Sequence, residues 1–233
     1  MLFKGLIALA FGTLSLGITE FVAMGLLPYI ARDFSVSLDA AGHIISFYAS
    51  GVAFGAFSLL FVRRFKLKHI ILFLIVVHIL GNALTALANN FNMLLVYRFI
   101  SGLPHGCYFG VGSIIASRLA TSGKGTSAIA IMGAGMTVAN VFGAPLGTAM
   151  ADTLSWRSIF YLVTFWGAIV LLSVAIFVKD TGKIADTGFK VPVHYNVELV
   201  DGISNPNNYS RFSRTIELEP GRHQIVLSFK ETL

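Results

Sequence analysis

Two charged side chains stand inside stretches that are otherwise apolar, small or aromatic: Glu20 in LGITEFVAMGLLP (16–28) and Arg98 in YRFISGLPHGCYFG (97–110). A carboxylate can carry a proton and a guanidinium can hold it in place by charge. Burial and a nearby cation act on such a carboxylate in opposite senses, which makes its proton affinity tunable. The same segment that holds Arg98 carries His105 among glycines and aromatics, placed either to line a cavity or to satisfy backbone groups freed near Pro104. His78 reads as a hydrogen-bonded core histidine and His43 as an interfacial one. No His, Cys or carboxylate stands at metal-ligand spacing from another, so no metal is expected. No nucleotide loop or hydrolytic triad is present, so neither an enzyme nor a cofactor is expected.

The elements that hold these residues follow from composition. Hydrophobic residues make up 55% of the 233, charged residues only 12%, and the mean hydropathy is +0.77. A soluble domain carries roughly twice that charge fraction. Runs long enough to cross a bilayer occur at about 5–30, 40–62, 69–88, 92–117, 127–150 and 158–178. The first could be a signal peptide with a short basic start and Ala8-Leu9-Ala10 as cleavage site, but it stays apolar to Ile30 and five more spans follow. The single cysteine, Cys107, lies within a span, so an intrachain disulfide is impossible. The net charge of +6 is a matter of membrane orientation rather than of nucleic acid. Lys4, Arg63, Arg64, Lys66, Lys68, Arg118, Lys124, Lys179 and Lys183 fall on one side, against Arg32 and Arg157 on the other. The positive-inside tendency then places both termini in the cytoplasm.

With that topology Glu20 lies roughly 15 Å, and Arg98 roughly 9 Å, from the outer face at 1.5 Å per helical residue. They share one half of the membrane and can face each other, either as a proton-carrying site or as a static pair that fixes packing. Glycines at GxxxG spacing, Gly51/Gly55, Gly102/Gly106/Gly110 and Gly143/Gly147, allow close helix contacts and, equally, sliding. Pro145 breaks the backbone ladder of the fifth span, as a kink or as a hinge or leak-sealing contact.

Composition changes near Lys179. The expected organisation is a six-helix transmembrane bundle over 1–180 and a small β-rich tail over 181–233. In the tail TIELEPGRHQIVLSF alternates on both sides of Pro220-Gly221, which predicts a hairpin, and Asp201-Gly202 closes a second alternating stretch.

The segments GITEFVAMGLLP, AAGHIISFYASGVAFGA, RRFKLKHIILF, YRFISGLPHGCYFGVGSIIASR, GMTVANVFGAPLGT and SWRSIFYLV together resemble the N-terminal half of a major facilitator superfamily transporter. More narrowly they resemble the drug:proton antiporter group of AraJ-like sugar efflux permeases. The resemblance implies proton coupling at Glu20 and Arg98, and cavity or gating roles for Gly102, Gly135, Gly143, Pro145 and Gly147, while the cavity role of His105 rests on its surroundings in the sequence. It also implies a cytoplasmic loop at Arg63, Arg64 and Lys68. In that loop Arg63 and Lys66 stand where the family's general motif has Asp and Gly, so a relay through a loop aspartate is not expected. The family has twelve helices in two halves, each built of paired three-helix repeats, and this chain has six. Its tail weakly resembles the small secreted YccT-type domain family.

The function expected is proton-coupled export of a sugar or drug-like small molecule across a bacterial inner membrane. It would need a homodimer or a second transporter half, with protons, substrate and the lipid bilayer as partners and no nucleic acid. The rival expectation is a truncated or fused, non-transporting membrane anchor that carries a β-rich binding module.

Overall fold

The computed structural model describes residues 2–62, 64–121 and 123–183, together with the backbone of 189–190, 195–200, 203–204, 215–216 and 225–229. The chain forms two compact units, Met1–Ile184 and Ala185–Leu233.

The first unit is helical: α1 (Leu2–Asp33), α2 (Leu38–Phe57), α3 (Leu59–Val62), α4 (Leu67–Ala86), α5 (Phe91–Leu119), α6 (Gly125–Ala151) and α7 (Trp156–Phe177). The short α3 continues α2 past a break at Ser58, whose hydroxyl donates to the Gly55 carbonyl at 2.6 Å. That leaves six helices long and apolar enough to cross a membrane. Pro28, Pro104 and Pro145 lie inside α1, α5 and α6, and Pro145 lies on an exposed face of α6.

α1 packs most extensively on α6, and α2 on α5, while α4 lies against α5 and α7 against α1. This exchange relates the triplet α1, α2, α4 to the triplet α5, α6, α7, as in folds made of three-helix repeats. α1 and α5 are the inner members, and glycines let their partners approach. A Cβ at Gly102 would overlap the Tyr48 carbonyl oxygen, one at Gly55 the Leu103 carbonyl oxygen, and one at Gly135 the Ala10 carbonyl oxygen.

Two apolar clusters fill the interior. One joins Leu9, Ile71, Val111, Ile115 and Val174 towards the end that carries most of the lysines. The other joins Leu26, Ile30, Ile44, Leu94 and Phe160 towards the opposite end. Between them lies a belt of buried polar side chains: Thr13, Ser15, Thr19, His78, Asn82, Arg98, Ser101 and His105. Burying that many polar groups requires internal partners for them, and the belt supplies most of them.

At the opposite end Asp33 receives the Trp156 indole N–H at 3.0 Å and an ion pair from Arg157. Arg157 also donates to the Ala88 carbonyl at 3.0 Å, so the last turn of α1, the α4–α5 loop and the start of α7 are joined. Asp33 is thus the common acceptor of Trp156 and Arg157.

At the basic end residues 180–183 form a strap. Arg118 donates to the carbonyls of Thr181 and Lys183, both at 2.8 Å, and the Leu67 N–H donates to the Gly182 carbonyl at 2.8 Å. Gly182 has φ +88°, a left-handed conformation that glycine adopts without a Cβ penalty. Asp180 pairs with Lys66 at 3.0 Å and accepts from the Gly182 N–H at 3.0 Å. These two contacts, the Gly182 N–H first, hold its carboxyl below the usual carboxylate range. A depressed folded-state value means the strap contact contributes above the ordinary carboxylate pKa, about 3.9, and is lost as pH falls through its own lower value. Arg118→Ala is expected to speed hydrogen exchange at the Leu67 amide about tenfold, the effect of losing one charge-assisted hydrogen bond. Acidification through that lower value should do the same in the unmodified chain, once the intrinsic exchange rate at each pH is divided out.

In the second unit the strands are β1 (Phe189–Lys190), β2 (Tyr195–Val200), β3 (Ile203–Ser204), β4 (Thr215–Ile216) and β5 (Ile225–Phe229). All pairs are antiparallel: β1 with β4, and β2 with both β3 and β5, in the order β3-β2-β5. The turn residues Asp201-Gly202 and Pro220-Gly221 lie outside the described residues. Among the described residues β4 joins β1 and β5 joins β2, while the residues on either side of Pro220-Gly221, from 217 to 224, lie outside them. Alternation marks a strand, but the partner is chosen by cross-strand packing that one strand's sequence does not contain.

Candidate functional site

Arg98 projects from the first third of α5 into the polar belt and is fully buried. Its Nη1 donates to the Thr19 carbonyl at 3.2 Å and its Nε to the Ile44 carbonyl at 3.5 Å, which ties α5 to α1 and α2. The guanidinium lies over the Tyr48 ring at 4.4 Å and near the Phe160 ring at 5.5 Å. A cation held over aromatic faces in a desolvated site is attracted by the ring quadrupoles, each such contact contributing about 1–2 kcal/mol. Its Nη2 is buried and has no hydrogen-bond partner among the described residues.

Glu20 sits one residue beyond Thr19 on α1, and its side chain is 28% exposed. The expected Glu20–Arg98 ion pair is not formed. Glu20 Oε2 instead approaches His105 Nδ1 at 3.5 Å. The reason is rotational: Arg98 is drawn towards the Thr19 and Ile44 carbonyls and the Tyr48 ring, whereas Glu20 meets α5 at His105, about two turns further on. The two still act on each other electrostatically.

His105 is buried and fixed from three directions. The Tyr48 hydroxyl is 2.9 Å from its Nδ1, Phe109 stacks on it at 5.5 Å, and Glu20 takes the remaining approach to the same nitrogen. The contacts to Tyr48, Phe109 and Glu20 are added to a position that the sequence left open between cavity lining and satisfaction of backbone near Pro104. The Tyr48 hydroxyl also lies 3.3 Å from the Leu16 carbonyl of α1. Tyr48 is the participant that the sequence reading missed. The only signal for it was a hydroxyl-bearing ring in an α2 stretch, HIISFYASGVAFGA, that is otherwise small and apolar.

A second part of the belt lies on α4. His78 Nε2 is 2.9 Å from the Ser15 hydroxyl, and the Asn82 amide donates to the His78 carbonyl at 2.8 Å, which makes His78 the hydrogen-bonded core histidine expected. Asn82 Oδ1 is buried without a partner among the described residues.

Gly102 is buried against Tyr48 and Val52, Gly135 against Ala10 and Thr13, and Gly143 and Gly147 against Phe21 and Val22. They are close-contact positions on the α2–α5 and α1–α6 seams. Lys68 donates to the Ala175 carbonyl at 2.8 Å, Arg64 lies in the exposed turn before α4, and Arg63 is outside the described residues. An apolar crevice of about 420 Å³ opens between α1, α6 and α7, lined by Ile18, Val138, Phe142, Ile159, Val163 and Trp166 among others. Neither Glu20 nor His105 lines it. Among the described residues no cluster of His, Cys, Asp or Glu could hold a metal ion.

Residues 9–206 match the family model of the Major Facilitator Superfamily. The chain is 43% identical over 193 residues to the AraJ protein of Escherichia coli strain K12, covering 82% of this chain and 49% of that protein. It is 41% identical over 170 residues to the inner membrane transport protein YdhP of the same strain, covering 72% of this chain and 43% of that one. It is 31% identical over 187 residues to a probable sugar efflux transporter of Helicobacter pylori strain P12, covering 79% of this chain and 48% of that one. The chain thus spans about half the length of the curated relatives that it matches.

Proposed function

The chain belongs to the Major Facilitator Superfamily and is a multi-pass membrane protein, and on that premise we propose that it supplies the N-terminal half of a proton-coupled efflux transporter in a bacterial inner membrane. The name of one relative, a probable sugar efflux transporter, favours a sugar as cargo, and the resemblance read from the sequence adds a drug-like small molecule. The single observation that carries the proposal is Glu20, a carboxylate at mid-span in a polar belt, set against an imidazole and within electrostatic reach of a buried guanidinium. An ionisable group at that depth is costly, and an apolar residue would pack the same space with less penalty. Proton binding there shifts the bundle only as far as its affinity differs between the two access states.

Alternating access requires a second six-helix bundle, from another copy or from a separate half. Both ends of the six-span unit lie in the cytoplasm. Lys66 and Lys124 sit at the N-cap positions of α4 and α6, where a cation opposes the helix dipole. Helix stability does not explain them, and the positive-inside tendency does.

The test is transport in vesicles that carry the chain completed by a second six-helix half, with an imposed proton gradient. Glu20→Gln is expected to lower gradient-driven efflux at least about a hundredfold, the scale of a positioned proton-transfer group, while folded yield stays unchanged. Gradient-driven efflux at the unmodified rate would rule the carboxylate out.

A further inference from the structure

We propose that His105 Nδ1 is a second seat for the proton that Glu20 carries, and that the Tyr48 hydroxyl is the rotor that registers which seat is filled. The inference rests on the proton-coupling reading of Glu20 and adds to it a partner, a direction of transfer and a route to the backbone of α1.

The argument is one of hydrogen counting. Tyr48 has one hydroxyl hydrogen and two acceptors within reach, His105 Nδ1 at 2.9 Å and the Leu16 carbonyl at 3.3 Å. It cannot donate to both with good geometry at once. When Nδ1 is bare, the hydroxyl donates to it, and Glu20 keeps its proton beside a neutral imidazole. When the proton passes from Glu20 Oε2 to Nδ1 across the 3.5 Å approach, one O–H bond is broken and one N–H bond is formed. The result is a carboxylate facing an imidazolium, with no change in net charge. Nδ1 now donates, so the Tyr48 hydrogen must turn to the Leu16 carbonyl, and the Tyr48 oxygen becomes an acceptor for Nδ1–H.

The same step has a destination for the carboxylate. Once ionised, Glu20 can stay on the imidazolium or turn towards Arg98, whose buried Nη2 has no partner among the described residues and whose Nη1 is already bonded to the carbonyl of the neighbouring Thr19. Protonation is thereby converted into a choice between two contacts on α5, one turn or more apart. The charged and titratable groups around this imidazole are Glu20 on α1, Tyr48 on α2, His78 on α4 and Arg98 on its own helix. His78 feels both His105 and Arg98 across the belt, and Arg98 feels Tyr48 and Glu20.

The experiment uses the full chain in detergent or lipid discs, with ¹⁵N-labelled histidine, and follows the His105 ring nitrogens by NMR across pH, assigned by loss of the signal in His105→Gln. In Glu20→Gln the pH midpoint of the His105 signal should be displaced by about one unit or more, a tenfold change in proton affinity. In Tyr48→Phe, which keeps the ring under Arg98 but removes the hydroxyl, the balance between Nδ1–H and Nε2–H forms should change at fixed pH. Both variants are near-isosteric, and their folding is checked by unchanged thermal unfolding.

If the His105 midpoint and its tautomer balance are the same in all three proteins, His105 is a packing residue and the proposal is wrong. Loss of efflux in Glu20→Gln with an unmoved His105 signal would overturn this inference and leave the proton-coupling reading standing. A displaced His105 signal with normal efflux would overturn the proton-coupling reading and with it the coupling role of this pair, leaving only proton exchange between Glu20 and His105.

Discussion

Gly102→Val is expected to stop α2 from docking on α5 and to cost most of the folded protein recovered from membranes. A Cβ at position 102 would overlap the Tyr48 carbonyl oxygen, and the reciprocal glycines of the seam are as tight: Gly51 on the Phe99 carbonyl, Gly55 on Leu103, Gly106 on Val52. The obstructing atoms are backbone, so no side chain can swing aside. In lipid there is no hydrophobic drive to hold the helices together against such an overlap, since the tails are as apolar as the side chains. Overpacking costs about 1–3 kcal/mol even where neighbours can adjust, and here the seam also carries Tyr48 with its contacts to Arg98 and His105. Gly133→Ala and Gly42→Ala are the matched controls, because a Cβ at either meets nothing within 4 Å. Monodisperse yield and thermal unfolding in detergent should fall sharply for Gly102→Val and stay level for the controls. Equal behaviour of all three would mean that the seam is not closely packed.

The second large effect is a separation of stability from function at Arg98. Its replacement by Met removes the donors to the Thr19 and Ile44 carbonyls and the cation over Tyr48. Those carbonyls lie within helices, whose own ladders supply N–H donors to carbonyls four residues back. The substitution also removes the desolvation cost of a buried charge, and replacing buried charges with apolar residues of like volume is often neutral or stabilising. Arg98→Met should therefore unfold within about 1 kcal/mol of the unmodified chain. Efflux in the completed transporter should nonetheless fall at least about a hundredfold, because the carboxylate loses the fixed cation that it works against. Arg98→Lys is expected to fail in the same way, since an ammonium cannot stack on Tyr48 and reach both carbonyls as the planar fork does. A variant that folds and transports normally would reduce Arg98 to a packing role.

What could be read from the sequence divides along a physical line. Spans were legible because crossing a bilayer imposes a length and a composition on each segment by itself. All six expected spans correspond to helices, apart from the break at Ser58, which a single serine in an apolar run does not announce. Glu20 and Arg98 stood out because charge is rare at that depth. Their mutual geometry was not legible. Depth fixes a position along the bundle axis but not the angle around it, and it was the angle that sent Glu20 to His105 and Arg98 to the helix carbonyls. Tyr48, Asn82 and Asp33 went unremarked because a tyrosine in an apolar helix, an asparagine and a carboxylate at a helix end are each ordinary until their neighbours are known.

The exchange of partners between the two helix triplets bears on how the chain comes off the ribosome. α1 finds its main partner only when α6 has been made, and about 90 residues separate Asp33 from Gly125. At roughly 5–20 residues per second, the first helix waits some seconds in or beside the insertion machinery with Thr13, Ser15 and Glu20 lacking their interhelical partners. α2 waits a shorter time for α5, which brings Arg98 and His105. Insertion factors that shelter polar helix faces should therefore crosslink to α1 longer than to any later span, and release should coincide with the emergence of α6 rather than with that of α2.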